Sequence, residues 1–194
     1  MAPMTRARSN NQDNVATELT ATYYEQRASA GLIITEGTFI SQEAKGSINI
    51  PGIYTEQQIK GWKLVTKAVH NKKGKIFAQL CHTGAYSHPD LHEGKLPLAP
   101  SEYNPEQQVF TEKGLQQTVA PQPMNIDDIK RTVELAIKKA RIKTKAKPKL
   151  LSDNGACYIS SELGDYLKNT LKMQQVHGRP AHPQTQPGGR CRKN

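Results

Sequence analysis

Helical and strand-like patterns alternate over the first eighty residues, with short connections between them, and this alternation constrains the fold more than any other feature. Residues 17–30 carry apolar and amphipathic side chains at three- and four-residue spacing, which predicts a helix that Gly31 ends. The β-branched run at residues 32–35 follows directly and predicts a buried strand. A helix is thus expected to lead into a strand almost without a loop.

The same pattern then repeats. Thr55, with Gln58 three residues later, forms the capping-box pattern that begins a helix, and Gly74 is placed to end it. Residues 75–80 predict the next strand. The apolar stripe of this second helix consists of Ile59, Trp62, Val65 and Val69. Alternating helices and strands are typical of βαβ units, so we expect an α/β fold with a parallel sheet.

The rest of the chain is less regular. Residues 81–123 read as a long connection, which is either a functional loop or an insertion that carries a hairpin. A helix is predicted from Asn125, and a strand near residues 150–151 precedes a last helix that Ser160 caps. The apolar stripe of the helix from Asn125 consists of Ile129, Val133, Ala136, Ile137 and Ala140.

Charge divides the chain into two unlike parts. Residues 1–126 hold 12 Lys or Arg and 11 Asp or Glu, whereas residues 127–194 hold 15 and 6. The basic second part predicts non-specific nucleic-acid binding; a solvated basic face is the alternative that charge alone leaves open. No apolar run is long enough for a membrane span, and the start has no secretory pattern. The three cysteines lack metal-binding spacing, so we expect free thiols and a cytoplasmic protein.

Six blocks in the first part occur in the order that one enzyme family uses. They are residues 1–6 (MAPMTR), 24–38 (YEQRASAGLIITEGT), 51–54 (PGIY), 78–84 (AQLCHTG), 87–89 (SHP) and 98–101 (LAPS). Over about residues 1–122 the chain resembles the old yellow enzyme family, the FMN-dependent ene-reductases that include N-ethylmaleimide reductase-like NADH:flavin oxidoreductases. The resemblance implies a TIM (β/α)8 barrel, here an incomplete fragment, with its site at the carboxyl ends of the strands.

The resemblance also implies the cofactors and the residues that hold them. FMN would be bound and NADPH or NADH would reduce it. Pro3, Met4 and Thr5 would line the flavin, with the Thr5 hydroxyl near its N5 edge; Gly37 would let the backbone approach the ring, and Gln79 would hydrogen-bond the pyrimidine edge. Without the family, Thr5 would be interpreted as a turn hydroxyl and Gln79 as a hydrogen-bonded strand amide.

Other family features are altered or missing. Cys81 stands where the family commonly has a bulky aromatic side chain, and His82 matches the histidine of the same motif. The family's substrate-binding His/Asn pair, proton-donating Tyr and phosphate-binding loops have no counterpart in residues 123–194. We therefore expect that this chain does not retain FMN.

The second part resembles a different family. Residues 148–155 (PKLLSDNG), 157–163 (CYISSEL) and 177–186 (HGRPAHPQTQ) are similar to the integrase core of insertion-sequence transposases, which has an RNase H-like fold. That family holds two divalent metals with two Asp and one Glu. Asp153 matches the second Asp, and Arg190 stands where the Glu is expected. A lone acid cannot assemble a two-metal site, so no metal is expected; outside the family, Asp153 is a turn residue.

These patterns predict a hybrid chain. Residues 1–124 form the reductase-like fragment, residues 125–186 the incomplete integrase-like fragment and residues 187–194 an aberrant basic tail, with the junction between residues 123 and 141. The leading hypothesis is a catalytically inactive hybrid of reductase and transposase fragments, which self-associates or is captured by chaperones. Two alternatives stay open: a working FMN-binding alkene reductase, and a non-catalytic protein that binds DNA through its basic part.

Overall fold

A computed structural model of the chain describes residues 1–140, 149–152, 165, 168–169 and 174–177. The chain divides into two compact units, Met1–Ala140 and Arg141–Asn194. None of the helices in the described ranges is long and apolar enough to cross a membrane.

The first helix, α1 (Glu18–Glu25), is shorter than the sequence predicts. From Arg27 to Ala30 the chain continues in tighter turns, in which N–H groups donate to carbonyls three residues earlier. Such bonds narrow the last turn of a helix. They bring Ala28 into the core, where it is 6% exposed, before the chain reaches Gly31. The helix therefore ends where packing requires it and not at the glycine.

Strand β1 (Ile33–Phe39) pairs in parallel with strand β2 (Ile76–Cys81). The predicted parallel pair is confirmed, but β1 extends four residues beyond the run at 32–35, because pairing with β2 continues to Phe39. A register shift between Ile34 and Gly37 interrupts the ladder.

Helix α2 (Glu56–Asn71) lies between the two strands in the chain and has the predicted capping box: the Gln58 N–H donates to the Thr55 hydroxyl at 3.2 Å. Its end differs from the prediction. Lys73 takes the left-handed conformation, with φ of +61°, and the Gly74 N–H donates to the Val69 carbonyl at 3.0 Å. Gly74 is needed for a different reason, since a Cβ there would stand 2.8 Å from the Ala28 carbonyl oxygen.

The main core lies between α1, α2 and the start of β1. The Trp62 indole N–H donates to the Gly52 carbonyl at 3.0 Å, so this ring is buried without an unpaired donor. The buried apolar side chains of this core are Ala16, Ala21, Tyr24, Ala28, Ile33, Trp62, Val65 and Val69. The apolar stripe that the sequence predicts for α2 supplies three of them.

Residues 81–123 carry a hairpin, which agrees with the second of the two predicted alternatives. Strands β4 (Gln108–Thr111) and β5 (Gly114–Gln117) pair antiparallel. Two short strands, β3 (Leu98–Ala99) and β6 (Gln122–Pro123), pair in parallel. One-turn 3₁₀ helices at Gln42–Ala44 and Pro89–Leu91 complete the connections.

Helix α3 (Ile126–Ala140) begins as predicted, because the Asn125 side-chain oxygen accepts the N–H groups of Asp127 and Asp128 at 2.9 Å. Ile129, the first residue of its predicted apolar stripe, is 36% exposed.

In the second unit, β7 (Lys149–Ser152) pairs in parallel with β8 (Gln174–His177). The strand predicted at residues 150–151 lies in β7. Asp153, the helix predicted after Ser160 and the tail at residues 187–194 lie outside the described residues.

Candidate functional site

Two of the predicted flavin contacts, Gly37 and Gln79, are register partners across the β1–β2 pair. Both lie in the carboxyl-terminal halves of their strands. Active sites of parallel α/β folds are built where the strands end, because the loops that follow converge there. The structure therefore brings these two residues together at the edge where a ligand is expected.

The amino-terminal segment runs along the other side of β1. The Met1 amino group donates to the Leu32 carbonyl at 2.6 Å, and the Met1 carbonyl accepts the Ile34 N–H at 3.1 Å. The order across the sheet is therefore amino-terminal segment, β1, β2. Residues 3–5, the remaining predicted flavin contacts, continue this segment beyond its attachment to the start of β1.

A second attachment follows these residues. The Arg6 N–H donates to one carboxylate oxygen of Glu36 at 3.2 Å, and the Arg6 guanidinium donates to the other. Glu36 is only 2% exposed, and its own N–H donates to the Tyr24 hydroxyl at 2.9 Å. Burial raises the pKa of the Tyr24 phenol, so this hydroxyl stays neutral at physiological pH. Charge patterning along the sequence does not predict the pair, since its partners are 30 residues apart.

The predicted contact residues offer groups that a flavin ring can use. Met4 and Thr5 are exposed, whereas Gly37 and Gln79 are half-buried. Within residues 1–140 the Gln79 side-chain amide makes no hydrogen bond, whereas its backbone N–H donates to the Thr35 hydroxyl at 3.0 Å. An unpaired amide donates and accepts at once, which suits the alternating donors and acceptors of a flavin edge. The donor set therefore fits the cofactor that the sequence implies.

None of the three clefts found among residues 1–140 contains all five of these residues. Met4 lines an open cleft of about 440 Å³ together with Met1 and Ala30. Two further clefts, of about 390 and 400 Å³, are lined by other, mostly polar residues around the two 3₁₀ helices. Shape alone would place a ligand in those clefts, whereas the residue chemistry points to the strand ends. A shallow sheet face encloses little volume, so a ligand site there need not form a deep cleft.

Cys81 is the last residue of β2, and His82 follows it beside this edge. Burial raises the pKa of the Cys81 thiol, which keeps it protonated and a weak nucleophile. Burial lowers the pKa of His82, so its ring is neutral. Nδ1 accepts the Gly84 N–H at 3.2 Å, which leaves the proton on Nε2, and this buried nitrogen has no partner among the described residues.

Sequence patterns miss a buried Ser–His pair in the insertion. The Ser87 hydroxyl lies 2.6 Å from the Lys45 carbonyl oxygen and 2.7 Å from Nε2 of His92. A carbonyl only accepts, so Ser87 donates to Lys45 and His92 donates to Ser87. The imidazole therefore cannot take the hydroxyl proton, and the pair is a structural bridge rather than an activated nucleophile.

The structure does not describe the second predicted site. Among the described residues, no three His, Cys, Asp or Glu side chains come close enough to hold a metal ion. Asp153 is not among these residues, so its role stays a prediction.

Comparison with known proteins identifies relatives of the first unit. The model of the NADH:flavin oxidoreductase / NADH oxidase family matches residues 1–146, a range that includes all of α3. The flavin oxidoreductase hxnT of Emericella nidulans is 43% identical over 136 residues, covering 68% of this chain and 35% of that protein. This chain therefore spans about a third of the length of that relative.

Solved structures of the same kind share the fold. The old yellow enzyme homologue from Zymomonas mobilis superposes with a TM-score of 0.70 at 40% identity, covering 80% of this chain and 44% of that one. Morphinone reductase in complex with tetrahydroNAD gives a TM-score of 0.69 at 40% identity and covers 79% and 45%. The first unit thus has an α/β fold that corresponds to part of a TIM barrel.

Proposed function

Since this chain belongs to the NADH:flavin oxidoreductase / NADH oxidase family, we propose that residues 1–140 provide the flavin-ring side of an FMN-dependent NAD(P)H oxidoreductase site. The observation that carries the proposal is the pairing of Gly37 with Gln79 at the strand ends. The Gln79 side-chain amide has no hydrogen-bond partner within the first unit, and it lies beside the half-buried backbone of Gly37.

The five residues are proposed to contact different parts of the flavin ring. Gln79 hydrogen-bonds the pyrimidine edge of the ring, Gly37 leaves room for the ring beside the backbone, and the Thr5 hydroxyl lies near the N5 edge. Pro3 and Met4 line the ring with their side chains. All five are uncharged, so their contacts are neutral hydrogen bonds and packing, each hydrogen bond worth about 0.5–1.5 kcal/mol.

The sequence prediction of FMN with a reduced nicotinamide is confirmed at the level of the family. Bound flavin would supply two-electron redox chemistry between NAD(P)H and an activated alkene. The chain spans only about a third of hxnT. Alkene reduction is therefore proposed for the whole enzyme site, of which residues 1–140 would provide the flavin-ring side. That this chain alone is inactive stays a prediction, and consumption of NADPH with an enone substrate tests it.

A flavin titration tests the proposed contacts. Ligand-observed NMR detects weak binding at micromolar protein, and it should be run on the full chain with FMN and with riboflavin, which lacks the phosphate. If only the ring is held, the two flavins bind with similar, weak affinity and neither survives gel filtration. Gln79→Leu should weaken both, whereas Gln117→Leu, an exposed strand glutamine in the hairpin, should not.

Two outcomes would contradict the proposal. The first is that neither flavin binds to the folded wild-type chain. The second is that Gln79→Leu binds both as well as wild type does. A large preference for FMN over riboflavin would instead reveal a phosphate contact, and would overturn the expectation that the chain does not retain FMN.

For the basic second part we propose the integrase-like origin that its motifs suggest, with non-specific DNA binding and no catalysis. The support is sequence alone: the motifs around Asp153 and the excess of positive charge after residue 126. Retention on DNA should fall steeply with salt, because phosphate contacts dominate such binding. Metal-dependent cleavage of a transposon-end oligonucleotide that Asp153→Asn abolishes would refute the absence of catalysis.

A further inference from the structure

Three of the residues proposed to contact the flavin, Pro3, Met4 and Thr5, are not held in place by hydrogen bonds of their own. Within residues 1–140, no hydrogen bond is formed by Pro3, Met4 or Thr5, and proline lacks an N–H in any case. The segment is held at Met1, which bonds to the start of β1, and again at Arg6. Its course between these points depends on both attachments.

The attachment at Arg6 uses both its backbone and its side chain. One residue engages both oxygens of the Glu36 carboxylate, the first through its backbone and the second through its guanidinium. The guanidinium also lies over the ring of Tyr23, 3.6 Å from its centroid, and 4.8 Å from that of Tyr24. Stacking on aromatic faces fixes the plane of a guanidinium.

Directly after Arg6 the chain turns sharply. Ala7 has a φ of +49°, a conformation that costs energy for any residue with a Cβ. An unanchored segment would relax from this conformation. The bonds of Arg6 to Glu36 therefore also hold the chain in the turn that ends the segment.

Stability alone does not account for this arrangement. A buried ion pair loses much of its Coulomb energy to desolvation, and well-packed apolar residues often stabilise a fold equally well. What an apolar pair cannot do is select one register and one backbone direction. Glu36 immediately precedes Gly37 and Arg6 immediately follows Thr5. The pair thus joins the two places where backbone is proposed to meet the flavin.

We propose that Arg6 and Glu36 are positioning residues, which hold Pro3, Met4 and Thr5 beside Gly37 so that both sides of the flavin site are formed before the flavin binds. This inference rests on the proposed function. Arg6 and Glu36 act through their neighbours, and neither is assigned a contact with the flavin.

The test compares three variants of the full chain. Glu36→Gln keeps the shape of the side chain and removes the charge. The double variant Arg6→Met with Glu36→Leu keeps burial without polar groups, and it serves if the single variant fails to fold. Glu25→Gln is the matched control, since it removes a carboxylate from an ion pair with Lys72 on the outside of the helices.

Hydrogen exchange of the flavin-free protein is the first measurement. In Glu36→Gln, exchange at the Arg6 amide should rise about tenfold or more, because its hydrogen bond to a charged acceptor is replaced by a weaker bond to a neutral amide. Amides in the middle of α2, such as that of Val65, should keep their wild-type rates. Glu25→Gln should change neither set.

Flavin affinity is the second measurement. Glu36→Gln and the double variant should weaken riboflavin and FMN alike, while the double variant unfolds at a urea concentration close to that of wild type. Unchanged exchange at the Arg6 amide would overturn the proposal, and so would an equal rise across α2 or a local rise with unaltered flavin affinity. If the wild-type chain binds neither flavin, the proposed function fails, and the exchange data still decide whether the pair fixes the segment.

Discussion

A substitution at Gly37 should affect the stability of the fold and the affinity for flavin in opposite directions. A Cβ added at this position would stand 3.5 Å from Cβ and 3.6 Å from Sγ of Cys81, which are ordinary van der Waals distances. Gly37 is also not among the glycines with a positive φ. Neither space nor backbone conformation therefore demands glycine in this strand.

Glycine inside a strand instead costs stability, because the unfolded chain gains freedom that folding must remove. Gly37→Ala should stabilise the protein by about 0.4–1 kcal/mol, the range for replacements that the native backbone accepts. The same methyl group would occupy the place where the flavin ring is proposed to approach the backbone. Flavin affinity should therefore fall by about tenfold or more, equivalent to about 1.4 kcal/mol.

Urea unfolding and ligand-observed NMR of the same preparations measure the two effects. Gly61→Ala is the control for the steric reasoning, since a Cβ there would stand 2.4 Å from the Ala16 carbonyl oxygen. Overpacking of this kind costs about 1–3 kcal/mol, which exceeds the gain of about 1 kcal/mol in helix propensity. Gly61→Ala should thus lower the midpoint of unfolding while Gly37→Ala raises it.

A lower midpoint for Gly37→Ala would refute the claim that the fold tolerates a side chain there. Unaltered binding of both flavins to a stable Gly37→Ala protein would refute the claim that Gly37 meets the ring.

Three further predictions concern stability and association. Lys73→Gly should raise the free energy of unfolding by about 0.5–1 kcal/mol, because glycine adopts the left-handed conformation at the end of α2 without strain; a lower thermal midpoint would contradict this. Burial lowers the pKa of His82 and of His92, so these histidines bind protons more readily in the unfolded chain than in the folded one. The free energy of unfolding at pH 7 should therefore decrease as the pH falls below about 6.5. His92→Gln, which can still donate to Ser87, should reduce that loss in urea titrations at pH 7 and pH 5, and an unchanged pH dependence would exclude His92 as a cause. Phe77 is 64% exposed on β2, and among the described strands β2 pairs only with β1. Phe77→Ser should therefore reduce the self-association measured by sedimentation velocity. Equal association of the wild type and the variant would exclude the Phe77 face of β2 as the contact surface.

Local patterns in the sequence were sufficient for the elements whose cause is local. The capping box of Thr55 and Gln58 depends on residues three apart, and the burial of Trp62, Val65 and Val69 follows from helical spacing. The parallel pairing of β1 with β2 follows from the order of helix and strand. The ordered family blocks likewise predict Gly37 and Gln79 near the carboxyl ends of neighbouring strands, and they pair there.

The tertiary structure decided the features that depend on distant partners. Glu36 is a charged residue inside a strand, and its buried carboxylate is paired with Arg6, 30 residues earlier. The sequence predicts that Gly74 ends α2; the left-handed residue there is Lys73, and Gly74 is required because Ala28 packs against it. Helix α1 stops before Gly31 because its last turn tightens to bring Ala28 into the core. The spacing of residues along the chain indicates which side chains share a face of a helix or strand. It does not indicate which distant residues will pack against that face, because those contacts form only when the elements pack together.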